Sequence, residues 1–151
     1  MRERLEKEFE EKVIQINRVS KKTKGGNRIA FSVLTVVGDR KGRVGAGLGK
    51  APDVVSAIHK SIKRAKKEMI KVPMHGTTIP HEIKIKRGAA QILLKPARPG
   101  TGIIAGGPVR IVIKVAGIKD IVSKILGTNN KVSNVQATLA AFKELKPWRK
   151  R

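Results

Sequence analysis

Of the 151 residues, 32 are isoleucine or valine and only 8 are leucine, while the aromatic residues are Phe9, Phe31, Phe142 and Trp148 alone. A core drawn from this stock is aliphatic and β-branched. Side chains branched at Cβ lose rotamer freedom in helices and pack well on a pleated surface, so strands are expected to be prominent. The same shortage of rings leaves few platforms for base stacking. With 40% hydrophobic residues the chain can build a core, which argues against a wholly disordered basic tail.

The charge bears on function. There are 34 Lys plus Arg against 11 Asp plus Glu, a formal net charge of +23. That field opposes compaction unless polyanions neutralise it, and nucleic acid is the expected partner. Residues 1–72 carry +11 and residues 73–151 carry +12, so both halves are expected to meet the polyanion. Cysteine is absent, which removes disulfides, thiol catalysis and cysteine-bound zinc. No apolar run approaches a membrane span or a signal peptide, and no strongly amphipathic basic helix or lipidation signal stands out, so the expectation is a soluble cytoplasmic protein with no membrane partner.

The chain divides, on this reading, into a charged arm (1–7), a first domain (8–72), a second domain (73–145) and a basic tail (146–151). Residues 1–12 hold five of the eleven acids and read as a short helix or partly ordered arm, with Leu5 and Phe9 on one helical face. Strand-like alternation over 13–19 and an apolar run over 29–38 suggest two strands joined by a long basic loop, 21–28. Asp39-Arg40-Lys41-Gly42 makes a tight turn, and Arg43–Lys50 reads as a glycine-rich strand. A helix is expected over 53–71, with Val54, Val55, Ile58, Ile62, Ala65, Met69 and Ile70 as its apolar stripe and lysines and Arg64 on the other faces.

Pro73 and the segment 74–81 mark the boundary. Two short strands, 81–86 and 91–97, flank Arg87-Gly88, and a turn-rich stretch spans 98–110. Residues 111–116 are ambiguous: β-branched composition favours a strand, whereas Gly106-Gly107-Pro108 can open a helix. A strand is expected within 120–126 and a last helix over 134–145, ended by Pro147. Trp148 reads as a packing residue or a nucleic-acid contact.

Catalytic patterns fail on spacing. In Gly45-Ala46-Gly47-Leu48-Gly49-Lys50, a phosphate loop would need glycine where Val44 stands and Ser or Thr where Ala51 stands, and the dinucleotide spacing is also missing. The favoured reading is close backbone approach to a ligand or a neighbouring strand. His59, His75 and His81 lack a third ligand at metal spacing. Asp39, Asp53, Glu68, Glu82, Asp120 and Glu144 are scattered among basic residues as turn, cap or ion-pair groups. The chain is expected to have no catalytic site, metal or cofactor.

Two regions rise above the general charge. Lys21-Lys22-Thr23-Lys24-Gly25-Gly26-Asn27-Arg28 combines four cations with glycines that permit close approach. The helix over 53–71 presents a basic face. Phosphate contacts position a protein without specifying sequence. RNA fits better than DNA, because no recognition-helix motif or dimerisation heptad is present and irregular RNA is read by shape through loops. A free-standing double-stranded RNA-binding protein or RNA chaperone is an alternative; a basic endonuclease is another, unsupported by the scattered carboxylates.

Residues 16–54, INRVSKKTKGGNRIAFSVLTVVGDRKGRVGAGLGKAPDV, resemble the signature region of the bacterial small-subunit ribosomal protein S5 family. The resemblance continues through HGTTIPH (75–81), GTGIIAGGPVR (100–110), VAGIKDIV (115–122) and NVQATLAAF (134–142). Asn27 stands between Gly26 and Arg28, one residue more than the family's compact Gly-Gly-Arg. The resemblance implies an α+β chain: an N-terminal domain similar to the double-stranded-RNA-binding fold, then an α/β sandwich of the S5 second-domain type in which 106–116 is helical. It implies a structural role on 16S ribosomal RNA in the 30S subunit, beside ribosomal proteins S4 and S8 and near the path by which messenger RNA enters, with effects on assembly, messenger unwinding and translational accuracy. Residues Lys22, Thr23, Lys24, Gly25 and Gly26 fall in the loop that the family places near the spectinomycin region. Beyond Lys21, Lys22, Lys24, Gly25, Gly26 and Arg28, the candidate RNA-binding residues are Arg40, Lys41, Arg43 and Lys50, then Lys60, Lys63, Arg64 and Lys67. In the second half they are Lys84, Lys86, Arg87 and Arg110.

Overall fold

The computed structural model describes residues 9–147, so the expectations placed on Leu5, Trp148 and the arm 1–7 fall outside the described residues. The architecture is α+β, with two four-stranded sheets and three helices among the described residues.

The first sheet is antiparallel throughout and runs β1 (Glu10–Thr23), β2 (Gly26–Gly38), β3 (Arg43–Ala51) and β4 (Ile70–Lys71) in spatial order. Two expectations are corrected here. Glu10–Lys12 belong to a strand, with Glu10 opposite Gly38, and not to a helix or arm. Nor is 21–28 a long loop: Lys21, Lys22 and Thr23 stand opposite Arg28, Asn27 and Gly26, which leaves Lys24 and Gly25 as the whole turn. Ladder pairing uses only backbone groups, so a polar run without apolar periodicity can extend a hairpin. Gly26, at φ 127, takes a conformation that residues with a Cβ rarely adopt. The Thr23 hydroxyl donates to its carbonyl at 2.8 Å. Asn27 thus lies in the paired part of the hairpin, opposite Lys22. Because β3 joins β2 only from Phe31 onward, residues 19–30 form a two-stranded ribbon beyond the body of the sheet.

Helix α1 (Val54–Lys67) is shorter than the expected 53–71. Asp53 caps it, its carboxylate accepting from the Ser56 N–H at 3.1 Å, and past Glu68 the chain turns back so that Ile70 and Lys71 pair with Val44 and Arg43. Of the expected stripe within the helix only Ala65 is fully buried, and Ala57 and Ser61 complete the buried face in place of the large residues; Val55 is 63% exposed, and Ile58 and Ile62 are half-buried. The reason lies in β3. Gly45, Gly47 and Gly49 share one sheet face by the two-residue period of a strand. A Cβ on them would fall within 3.0 Å of the carbonyl oxygens of Ala65, Ser61 and Ala57 respectively. The helix therefore lies too close to the sheet for larger side chains. The glycine motif serves close approach to a helix, not to a ligand or a neighbouring strand. Within the same interface the Thr35 and Ser61 hydroxyls are 2.7 Å apart and buried, and Ser61 also donates to the Ile58 carbonyl at 2.7 Å.

The second sheet has the order β5 (Ile83–Arg87), β6 (Ala90–Pro96), β8 (Ile121–Ile125), β7 (Ile103–Ile104), with β7 and β8 parallel. The crossover between β7 and β8 is α2 (Gly107–Ala116), so the strand preference of 111–116 gives way to a helix. Pro108 is pre-set for the first turn, and Gly117 ends the helix at φ 93. Burial of Val109, Val112, Ile113, Val115 and Ala116 outweighs the small propensity penalty of β-branched residues. In the turn-rich stretch, the Asp120 carboxylate accepts from the N–H groups of Gly100 and Gly102 at 3.1 and 2.9 Å. Helix α3 (Lys131–Glu144) begins ahead of Asn134 because Asn130 caps it, accepting from the Val132 N–H at 3.0 Å. Asn134 is buried inside the helix and donates to the Thr128 carbonyl at 3.0 Å.

One hydrophobic cluster joins the halves, with Leu34, Val36, Val44 and Val72 meeting Ile79, Ile92, Leu94, Val112, Ile113 and Phe142. Backbone bonds reinforce it. Arg40 and Gly42 donate to the carbonyls of Val115 and Ala116 at 2.9 and 2.8 Å, which satisfies carbonyls that the end of α2 would otherwise leave unpaired.

Candidate nucleic-acid interface

Helix α1 lies over β3 with Ala57, Ser61 and Ala65 toward the sheet, which sends the long cationic residues of the next helical face past the strand's free edge. There Lys50, Lys60, Lys63, Arg64 and Lys67 line a shallow groove of about 340 Å³. All five were expected as RNA-binding residues, and the fold brings them together with no carboxylate among the described residues of the lining. Two are anchored: the Arg64 guanidinium donates to the Leu48 carbonyl at 3.0 Å, and the Lys60 ammonium to the Lys50 carbonyl at 3.4 Å. These bonds occupy acceptors on the unpaired edge of β3 while leaving further N–H donors on each cation.

The ribbon tip makes a second cluster, in which Lys22, Thr23, Lys24, Gly25, Gly26 and Arg28 are all exposed. The register sets Lys21 opposite Arg28. Lys84 and Lys86 alternate with Ile83 and Ile85 along β5, so their exposed side chains occupy its outward face. Arg87 lies apart from them and borders a cleft that Arg64 and Lys143 also line.

Near the N-terminal end of β1 the expected residues have internal partners. Arg40 pairs with Glu10, whose carboxyl is held below its ordinary range chiefly by that bond. Arg43 lies over the Phe9 ring, 5.8 Å from its centre. Lys66 bonds Glu11 at 3.3 Å and approaches Phe9 at 5.9 Å. Lys41 is exposed in the turn beside them, its N–H bonded to the Asp39 carboxylate at 2.8 Å. Arg110 opens onto a third hollow of about 380 Å³ with Arg40, Lys114 and Lys119. Lys114 and Lys119 were missed in the sequence. Arg110 and Lys114 are four apart on a helix, a spacing hidden by the strand-like composition of 111–116. Lys143 was missed because nothing local connects it to Arg64 or Arg87.

Among the described residues, carboxylates pair only with Lys12, Arg40 and Lys66. Most of the positive surface of the described residues is therefore uncompensated by described carboxylates. Fold and surface together define a two-unit α+β protein with an extended cationic surface. Two family models match it, "Ribosomal protein S5, N-terminal domain" over residues 9–73 and "Ribosomal protein S5, C-terminal domain" over residues 85–150. The chain belongs to the ribosomal protein S5 family, whose members are structural and not catalytic. Among the described residues no group of three or more His, Cys, Asp or Glu is placed to hold a metal.

Proposed function

We propose that this protein is a structural constituent of the small (30S) ribosomal subunit in the cytoplasm and holds 16S ribosomal RNA through two separate cationic surfaces. The observation that carries the reading is the carboxylate-free groove of Lys50, Lys60, Lys63, Arg64 and Lys67 in a chain of the S5 family. Five cations on a rigid helix–strand frame match a phosphate backbone, and release of counterions drives the association. The ribbon tip is the second surface: Lys21, Lys22, Lys24 and Arg28, with Gly25 and Gly26 allowing close approach, meet 16S RNA near the spectinomycin region.

Lys84, Lys86, Arg87 and Arg110 extend the RNA surface into the second half, and Arg40, Lys41 and Arg43 line its margin. The first domain, 8–72, acts as a double-stranded-RNA-binding-like unit and the second, 73–145, as the S5 C-terminal unit, flanked by the arm 1–7 and the tail 146–151. Ribosomal proteins S4 and S8 are its protein neighbours. Its position near the path of incoming messenger RNA supports assembly, messenger unwinding and translational accuracy. The test is sedimentation of native small subunits at moderate salt, in which the protein is expected in stoichiometric amount. Recovery free of particles would favour an independent RNA-binding protein.

A further inference from the structure

We infer that the cleft between β3, the C-terminal end of α1 and α3 receives an unstacked base of single-stranded RNA, whose flanking phosphates lie in the adjoining cationic groove. The inference rests on the RNA-binding reading and names the form of RNA that this site takes. The cleft encloses about 650 Å³. Leu48, Met69, Ile70, Leu139 and Ala140 give it apolar patches within a lining that is polar for the greater part, where Arg64, Arg87 and Lys143 supply cations against one acid, Glu68. Leu48 is 39% exposed, a large apolar side chain left at the free edge of β3 because β4 covers only Arg43 and Val44.

Arg64 lines both this cleft and the groove of Lys50, Lys60, Lys63 and Lys67. Its guanidinium is pinned by the Leu48 carbonyl at 3.0 Å and so stands where the two hollows meet. A ligand suited to this pair alternates a flat group with an apolar face and polar edges with strong negative charge. A single polynucleotide strand does so, presenting a base between successive phosphates, and the planar guanidinium gives the base a stacking surface that the ring-poor sequence otherwise lacks.

Two other occupants fit less well. A duplex offers phosphates to the cationic groove but keeps its bases stacked inside, so the cleft would stay empty. A peptide adding a strand to β3 needs edge acceptors, yet the Leu48 and Lys50 carbonyls already accept from Arg64 and Lys60.

The experiment titrates the full chain with three fluorescent probes of about eight nucleotides: a single-stranded RNA, the same backbone with its bases removed, and a blunt duplex. The single strand is expected to bind roughly tenfold more tightly than the abasic strand, the low end of what base contacts contribute. Leu48→Ser should narrow that gap without altering abasic binding; its side chain is exposed enough for the variant to fold, and Leu139→Ser tests the opposite wall. Equal binding of intact and abasic strands, or preference for the duplex, would overturn the inference while leaving phosphate capture standing. A gap that survives both serine substitutions would overturn the placement in this cleft. Failure of all three probes to bind would remove the RNA-binding reading and this inference together.

Discussion

The N–H of Arg40 donates to the carbonyl of Val115 at 2.9 Å, so the turn of the first sheet completes the end of a helix in the other half of the chain. Gly117 makes this possible. It sits at φ 93, and a Cβ there would overlap the Arg40 carbonyl. Gly117→Ala is therefore expected to destabilise by at least about 1–2 kcal/mol from the left-handed conformation alone, with a further loss as the turn is pushed from the helix. Denaturant melts check the loss. An unchanged midpoint would mean that the halves are not held through this contact.

Gly47→Ala tests the closeness of α1 to β3. A methyl at this position collides with the Ser61 carbonyl and the Ala65 backbone, neither of which is a flexible side-chain end. Overfilling of this kind typically costs about 1–3 kcal/mol. The same change at Gly25, with nothing within 4 Å of its added Cβ, should cost much less.

Lys63→Ala with Lys67→Ala should leave the melt nearly unchanged, because both are exposed and alanine favours helix. Binding to small-subunit RNA should weaken, and its dependence on salt should flatten by roughly 0.7–0.9 in the log–log slope for each phosphate no longer neutralised. If about 6–10 phosphates are neutralised, the wild-type protein loses about 10³–10⁵ in affinity between about 50 mM and 200 mM salt. A salt-independent affinity would contradict phosphate capture.

For the ribbon tip, Lys24→Ala with Arg28→Ala is expected to preserve circular dichroism, since neither residue belongs to the core. Incorporation into small subunits or spectinomycin response should change. If folding, incorporation, drug response and decoding all match wild type, the tip is only a connection between strands.

Acid titration of the wild type against Asp120→Asn separates Asp120 from the other lowered carboxyls, Glu10 and Asp53. The Thr77 side chain and the N–H groups of Gly102 and Gly100 hold its carboxyl below the ordinary 3.8. A depressed pKa in the folded state means that the stabilisation is complete above the ordinary value and is lost as the pH falls through the depressed one. Stability of the wild type should decline across that interval, and Asp120→Asn should remove this part of the decline. Melts between neutral pH and strong acid measure the difference.

The sequence carried the strands and helices whose signal is local. Asp53 marked the start of α1, and the glycines of 45–49 signalled a close approach. It misassigned features settled across the fold. Ala57 and Ser61, which complete the buried face beside Ala65, look weaker than Ile58 and Ile62 until the glycines of β3 draw the helix inward. Residues 111–116 stayed ambiguous on composition, since the strand propensity of β-branched residues is weak beside burial, and it was the family resemblance that implied the helix. The five-cation groove was legible residue by residue, but not as one site, because Lys50 reaches Lys60 and Arg64 only through the turn of α1 over β3. The cleft lined by Leu48 and Leu139 joins opposite halves of the chain and leaves no local trace.

The ribbon of residues 19–30 has a bearing on when order is acquired. Each of its strands has a single hydrogen-bonding neighbour, and a lone hairpin is marginal in water. Its amides therefore open through local events that leave the core intact, so the segment contributes little to the cooperative unfolding of the body. In the proposed contact with RNA, the entropy of fixing the cationic tip would fall within the binding step, and affinity at this surface would be lower than the count of charges alone suggests. In exchange, a finger two strands wide can enter crevices between RNA helices that the body cannot enter, and it can adjust there without disturbing the hydrophobic core.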